Sequence, residues 1–153
     1  MFAKIIRKRR MTLPTRLSSG PTKVKVGFPA GKAGSVIDRA FFNEFGTKGG
    51  ASGGGWGGPV PERPFLRNAM RDNRAKYKSG MATAAKAILR GQYDMSAALA
   101  KLGIMAQGDI QSEITALSSP PNSPVTIALK GSSNPLIDDG QMHQAVTWAI
   151  DDD

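Results

Sequence analysis

The chain has 153 residues, of which 40% are hydrophobic, so it is long enough to bury one core of ordinary domain size. It contains no cysteine, which excludes disulfide bonds, thiolate metal sites and cysteine nucleophiles. The net charge of +9 is unevenly spread: residues 1–90 carry 19 Lys/Arg and 4 Asp/Glu, whereas residues 91–153 carry 2 and 8. This asymmetry indicates contact with nucleic acid or with a charge-complementary neighbour, which in a head-to-tail ring is the next copy of the chain.

The first 20 residues lack a consistent periodicity and end in a turn-like Ser-Ser-Gly-Pro run. We predict a flexible basic arm over residues 1–20, followed by a single domain over residues 21–153. The basic start lacks the apolar stretch of a signal peptide, and no run approaches the roughly 20 apolar residues of a membrane span. We therefore expect a protein that is neither exported nor embedded in a membrane.

The domain is predicted to begin with a strand over residues 22–28, because polar and apolar residues alternate there and place Val24, Val26 and Phe28 on one face. Residues 35–45 form either a short helix or a second strand, since periodicity does not decide between them. Their aromatic residues are predicted to lie in the core: Phe41, Phe42 and Phe45.

Residues 46–61 are rich in glycine and predict a long mobile loop with one large anchor, Trp56. We interpret it as a docking loop. Gly53, Gly55 and Gly58 match the spacing of a dinucleotide-binding fingerprint, but that motif needs a helix opening directly at its end. Prolines follow instead, so a nucleotide site is not predicted here.

Two helices are predicted next. The first runs from Pro64 to Gly91, with core positions such as Phe65 on one face and basic residues on another. The second begins at Asp94 as N-cap and extends to Leu117. Its internal Gly103 and Gly108 indicate a close approach by a neighbouring helix or subunit. The basic residues of the first helix and its start are Arg63, Arg67, Arg71, Arg74, Lys76 and Lys78.

The remaining segments are short. Consecutive prolines force a turn over residues 118–124, and residues 126–130 form an element whose type the pattern leaves open. A tight turn follows at Asp138-Asp139-Gly140, where the glycine can take a positive φ. Alternation over residues 145–150 predicts a last strand with Val146, Trp148 and Ile150 on one face.

Several of these segments, in this order, resemble one family of proteins. Asn43–Thr47 (Asn-Glu-Phe-Gly-Thr), a loop, and Val60–Arg67 opening a helix resemble the tail-completion proteins of tailed phages, the lambdoid head-tail joining family related to minor tail protein Z. The resemblance spans roughly residues 22–150. It departs from the family at Asp139, where Thr is expected, and in the expanded glycine-rich loop. The C-terminal part adds Gly108–Gln111, Pro120–Thr126, Lys130–Gly131 and Pro135–Met142.

The resemblance implies a small α+β subunit in which a small antiparallel sheet packs against two long helices. It implies a structural virion protein that assembles as a ring of six or twelve copies in the neck, where it joins or completes the tail and lines the DNA exit path. The expected partners are other copies of the chain, adjoining neck, tail-terminator or connector proteins, and genomic DNA bound without sequence preference. The expected location is the virion, after synthesis in the bacterial cytoplasm.

Interface residues are predicted from the charge asymmetry and the loop, with the acidic part of one copy meeting the basic part of the next. The residues predicted to contact protein partners are Trp56, Arg7, Arg9, Arg10, Arg63, Arg67 and Arg71. The residues predicted to face DNA are Lys4, Lys8 and Arg74.

Catalysis is not predicted, and neither a cofactor nor a metal is expected. His143 is the only histidine, and it lies near Asp138 and Asp139, so a hydrolytic triad can be drawn. However, a lone histidine is far more often a surface or core residue than a catalytic one. The two aspartates point in opposite directions in an extended segment and have no ligand cluster around them, so a turn explains them better than a metal site.

The alternative function is non-specific DNA binding through the basic arm and the basic helix face. The calculated pI of about 10.2 and the arm over residues 4–10 suit phosphate contacts. Sequence-specific recognition is not predicted, because no helix-turn-helix, zinc or RNP-type motif accompanies the charge.

Overall fold

A computed structural model of the chain describes residues 20–29, 34–48 and 59–151. The fold in these ranges is α+β: a two-stranded antiparallel sheet packs against the 22-residue helix α4. In chain order the elements are β1 (Lys23–Gly27), α1 (Gly34–Phe45), α2 (Phe65–Asp72), α3 (Arg74–Leu89), α4 (Met95–Ala116), α5 (Pro124–Lys130), α6 (Gln141–Ala145) and β2 (Thr147–Asp151).

The sheet joins the two ends of the domain. Its register pairs Lys23 with Asp151 and Val26 with Trp148, and the Lys25 ammonium lies 2.5 Å from the Asp151 carboxylate. The first predicted strand is confirmed. The second begins two residues later than predicted, because residues 141–145 form α6 and the extended backbone of the next residue ends that helix.

The helices agree with the sequence predictions at the start of α4 but not within residues 64–91. Asp94 caps α4 as predicted, since its carboxylate accepts a hydrogen bond of 2.8 Å from the Ala97 amide. The predicted single helix over residues 64–91 is instead divided at Asn73, whose side-chain amide donates to the Ala69 carbonyl. The two undecided segments are both helical: residues 35–45 lie in α1, and residues 126–130 lie in α5, which starts at Pro124.

The core lies between α1, α2, the C-terminal half of α4 and the loop before β2. Phe65, Ile110 and Ile114 are fully buried at its centre, and Phe28 meets Phe65 edge to ring at a centroid distance of 6.1 Å. The prediction of core aromatics in α1 is wrong. Its inward face carries small residues instead, and its phenylalanines point outward: Phe41 is 57% exposed, Phe42 38% and Phe45 56%.

One of the two glycines inside α4 marks a close approach. A Cβ atom at Gly103 would lie 2.7 Å from Cδ2 of Trp148, so the indole of β2 packs directly on the helix backbone. The approaching group is therefore a strand of the same chain and not the neighbouring helix or subunit that the sequence suggested. At Gly108 a Cβ atom would meet nothing within 4 Å.

We expect Gly103→Ala to lower the free energy of unfolding by about 1–3 kcal/mol, because the added methyl group overlaps the indole of Trp148. Gly108→Ala is the matched control in the same helix. It meets no neighbour, so the higher helix propensity of alanine should raise stability by about 0.5–1 kcal/mol. Urea unfolding followed by circular dichroism measures both changes, and equal effects would contradict the close contact.

Candidate functional site

The two ends of the glycine-rich segment are joined to each other. The Thr47 amide donates to the Val60 carbonyl at 2.9 Å, and the Val60 amide donates back to the Thr47 hydroxyl at 3.0 Å. Farther from the glycine-rich segment, the Arg63 amide donates to the Asn43 carbonyl at 2.6 Å. We call these contacts between residues 43–47 and 60–63 the loop clamp. The chain therefore leaves and returns at one fixed point on the surface.

Glycine is required inside the loop clamp. Gly46 has a φ of +69°, and a Cβ atom there would lie 3.0 Å from the Val60 carbonyl oxygen and 3.1 Å from the Glu62 amide. Both the backbone conformation and the space thus exclude a larger residue. This explains physically why glycine follows Phe45 in the segment that carries the resemblance.

Glu44 connects the loop clamp to the start of α2. The residue is only 2% exposed, and its carboxylate accepts hydrogen bonds from the Leu66 amide at 2.9 Å and the Arg67 amide at 3.2 Å. Helix α2 receives no side-chain cap from Pro64, the residue at its own N-cap position. The carboxylate of α1 therefore caps α2 and also meets the positive end of its dipole.

Arg63 is the other charged residue buried in the described part of the chain, at 5% exposure. Its guanidinium donates to the carbonyls of Pro120 at 2.8 Å and Pro121 at 3.1 Å, and to the side-chain oxygens of Asn43 at 3.0 Å and Asn122 at 3.3 Å. Burial lowers the pKa of Arg63 from its usual value. The expectation that Arg63 belongs to an exposed basic face is wrong, since it ties the turn after α4 to the loop clamp.

The rest of the predicted basic face is partly neutralised by acids of distant segments. Arg67 pairs with Glu44 at 2.8 Å and also with Glu62, and hydrogen bonds to these two carboxylates raise its pKa. Lys76 pairs with Asp109 of α4 at 2.5 Å. Arg71 pairs with its neighbour Asp72. Five of the six predicted basic residues are exposed: Arg67, Arg71, Arg74, Lys76 and Lys78.

Beside the loop clamp lies an exposed aromatic surface that sequence reasoning placed in the core. We call Phe41, Phe42 and Phe45 the aromatic ridge. Their rings touch one another, with centroids 4.9 Å apart for Phe41 and Phe45, and Arg67 lies 5.2 Å from the centre of the Phe45 ring. Exposed aromatic residues beside an arginine are typical of protein interfaces.

A second apolar surface lies between α3 and the N-terminal half of α4. It is a cavity of about 620 Å³ that opens to solvent, and we call it the apolar groove. Sequence reasoning missed it, because the groove exists only through the separation of two helices. The residues that line it include Met81, Ala84, Ile88, Met95, Leu102 and Met105, with Lys76 and Lys101 among the polar ones.

The structure places the residues considered for catalysis in the predicted turn and in α6. Asp139 accepts a hydrogen bond from the Gln141 amide at 3.0 Å, and Gly140 has a φ of +77°, so this segment is the predicted turn before α6. The backbone carbonyl of His143 accepts from Gln111 at 3.1 Å. Within the described ranges, no group of three acidic or histidine side chains is placed to hold a metal ion.

Several predicted interface residues lie outside the described residues. They are Trp56 of the loop and the arm residues Lys4, Arg7, Lys8, Arg9 and Arg10. Among the described residues, no helix combines the length and the apolar character that crossing a bilayer requires.

In comparisons with known proteins, no protein-family model, no curated protein and no solved structure matches the chain. A functional assignment therefore depends on the residues and their geometry.

We expect Glu44→Gln to lower the free energy of unfolding by about 2–3 kcal/mol, because the amide has one acceptor oxygen for the two α2 amides and no charge for Arg67. Glu62→Gln is the matched control. Its side chain is 53% exposed and shares the same arginine, so its effect should stay within about 0.5 kcal/mol. Chemical unfolding compares the two, and a neutral Glu44→Gln would contradict the capping role.

We expect Arg63→Lys to lower stability by about 2–4 kcal/mol, since an ammonium cannot reach two carbonyls and two amide oxygens at once. The control is Arg71→Lys, whose side chain is 69% exposed and should change stability by about 0.5 kcal/mol or less. Thermal unfolding at one pH measures both. Equal stability of the two lysine variants would show that Arg63 does not hold the turn.

Proposed function

We propose that the chain is a structural virion protein of a tailed phage, which assembles as a ring in the neck and joins or completes the tail. The observation that carries this proposal is the loop clamp. The loop clamp and the start of α2 bring together Asn43–Thr47 and Val60–Arg67. These are the two segments with which the resemblance to tail-completion proteins begins.

The loop clamp suits an assembly protein because it holds a variable segment on a rigid base. Two buried charges, Glu44 and Arg63, fix α1, α2 and the turn after α4 around the point where the loop leaves. Binding residues are commonly carried on loops that a rigid scaffold positions. A subunit that must meet several neighbours in a fixed arrangement gains from such a base, since less ordering is needed on binding.

The exposed apolar surfaces support assembly as well. The aromatic ridge and the apolar groove leave large hydrophobic side chains in contact with water, among them Phe41, Phe45 and Met81 at 56–57% exposure. Contiguous apolar surface of this kind is typical of protein contacts and is unfavourable on a subunit that stays alone. The charge difference between residues 1–90 and residues 91–153 favours contact between unlike ends of neighbouring copies.

Non-specific DNA binding is the second candidate, favoured by the net charge of +9. The ion pairs of Arg67 and Lys76 reduce the charge available on the helix face. This candidate therefore depends mainly on the arm over residues 4–10, which lies outside the described residues. A protein that stays monomeric in light scattering and gains mass only with duplex DNA would favour it over assembly.

Deleting the gene from the phage that encodes the chain is expected to leave DNA-filled heads and separate tails, because the ring that joins them is missing. Electron microscopy of lysates counts joined particles, and adding the purified protein should restore them. A variant in which two glycines replace residues 49–58 keeps both sides of the loop clamp and should fold, yet it should fail to restore joining. Normal tailed particles from the deletion strain would overturn the proposal.

A further inference from the structure

Two exposed apolar surfaces in the described part of the chain have opposite shapes. The aromatic ridge of Phe41, Phe42 and Phe45 projects from α1, whereas the apolar groove is a hollow of about 620 Å³ between α3 and α4. A projecting apolar patch that fits a hollow elsewhere on the same molecule produces head-to-tail contacts, which close into rings when the rotation allows. We propose that the aromatic ridge of one copy inserts into the apolar groove of the next, an inference that rests on the proposed assembly as a ring.

The two surfaces lie on different elements of the subunit. Helix α1 packs on the core around Ile110 and Ile114 in the C-terminal half of α4, whereas the groove is lined by Met95, Leu102 and Met105 of the N-terminal half. The ridge and the groove of a single subunit therefore do not share an element, so each can contact a different neighbour, as a head-to-tail contact requires.

The groove suits a ridge of aromatic rings in its chemistry. Three methionines line it, Met81, Met95 and Met105, and flexible thioether side chains adapt their packing to aromatic rings. Its charged lining residues are Lys76, which pairs with Asp109, and Lys101, which lies over the ring of Tyr93. Among the described residues, no carboxylate lines the groove.

Asp38 marks the solvent-facing side of α1 on which the ridge lies. Asp38 is exposed on α1 and lies three residues before Phe41 and four before Phe42. Its carboxylate therefore projects from the same side of the helix as the rings. The contact is then a helix laid in a groove, a common mode of protein recognition.

The exposed area of the ridge suits the centre of a stable interface. At roughly 200 Å² for an aromatic side chain, exposures of 57%, 38% and 56% leave about 300 Å² for burial. A standard interface buries about 800 Å² on each partner. The rings thus provide somewhat less than half of one side, and the clustering of aromatic anchors at the interface centre is the usual arrangement.

The absence of cysteine from the chain allows a direct cross-linking test. One variant carries Asp38→Cys beside the aromatic ridge, and a second carries Thr83→Cys on the exposed rim of the groove. The two proteins are mixed and treated with a short bismaleimide, and covalent dimers are counted by mass. A third variant, Ser112→Cys, is the matched control, because its cysteine lies on an exposed part of α4 outside the groove lining.

We expect mixed dimers from Asp38→Cys with Thr83→Cys, with a yield at least tenfold above that of either protein alone or of the mixture with Ser112→Cys. The chain that carries both cysteines should give a ladder of trimers and larger products. Adding Phe41→Asp and Phe45→Asp to the ridge protein should reduce the yield about 30-fold. Leu129→Asp, at an apolar position that is 86% exposed on α5, should leave the yield within about twofold.

Other occupants of the groove give different results and overturn the inference. Dimers of Asp38→Cys with itself would mean a symmetric ridge-to-ridge contact. Equal cross-linking with and without the two Phe→Asp changes would mean that the rings do not enter the groove. The absence of mixed dimers at the highest soluble concentration would mean that a different protein, or residues 1–19 of the same chain, covers it.

The assay of restored head-tail joining distinguishes a failure of this inference from a failure of the proposed function. Joining restored by the doubly substituted Phe41→Asp/Phe45→Asp protein would keep the neck function and reject the ridge-to-groove contact. Mixed dimers formed by a protein that never restores joining would keep the contact and reject the neck function.

Discussion

The structure depends on one buried ionic contact, the carboxylate of Glu44 at the start of α2. Removing a carboxylate from water costs several kcal/mol, and here two backbone amides and the Arg67 guanidinium offset that cost. The guanidinium of Arg63, two residues before α2, is also removed from water, and hydrogen bonds to four oxygen acceptors offset that cost. The two contacts fix α1, α2 and the turn after α4 at one point, and the loop begins and ends there.

Sequence reasoning predicted the elements whose signals are local. The alternation in residues 22–28, the cap at Asp94 and the core position of Phe65 each depend on residues close in the chain, and the structure confirms all three. The burial of Arg63 was not predicted, and neither was the partial neutralisation of the exposed basic face. Its neutralising partners are distant, since Glu44 lies 23 residues before Arg67 and Asp109 lies 33 residues after Lys76.

The candidate site was likewise predicted only in part: the sequence indicated its segments but not their contacts. The segments around Glu44 and Arg63 stood out in the sequence, but their contacts with each other did not, because no pattern reveals which carboxylate caps which helix. Composition misplaced Phe41 and Phe45, since aromatic residues are usually buried and the inward face of α1 is instead filled by Val36 and Ala40. The apolar groove could not be predicted, because it is the space left between α3 and α4.

The proposed contact between copies assigns a further role to α4. One end of this helix carries the core on which α1 and the aromatic ridge sit, and the other end forms a wall of the apolar groove. Near its middle, Trp148 packs on the bare backbone at Gly103 and so joins the sheet to the helix without an intervening side chain. Because close-packed contacts resist deformation, the angle between ridge and groove is fixed within each subunit. In a head-to-tail ring this internal angle determines the rotation from one copy to the next. On this proposal, the packing around α4 would contribute to the number of copies as much as the interface itself.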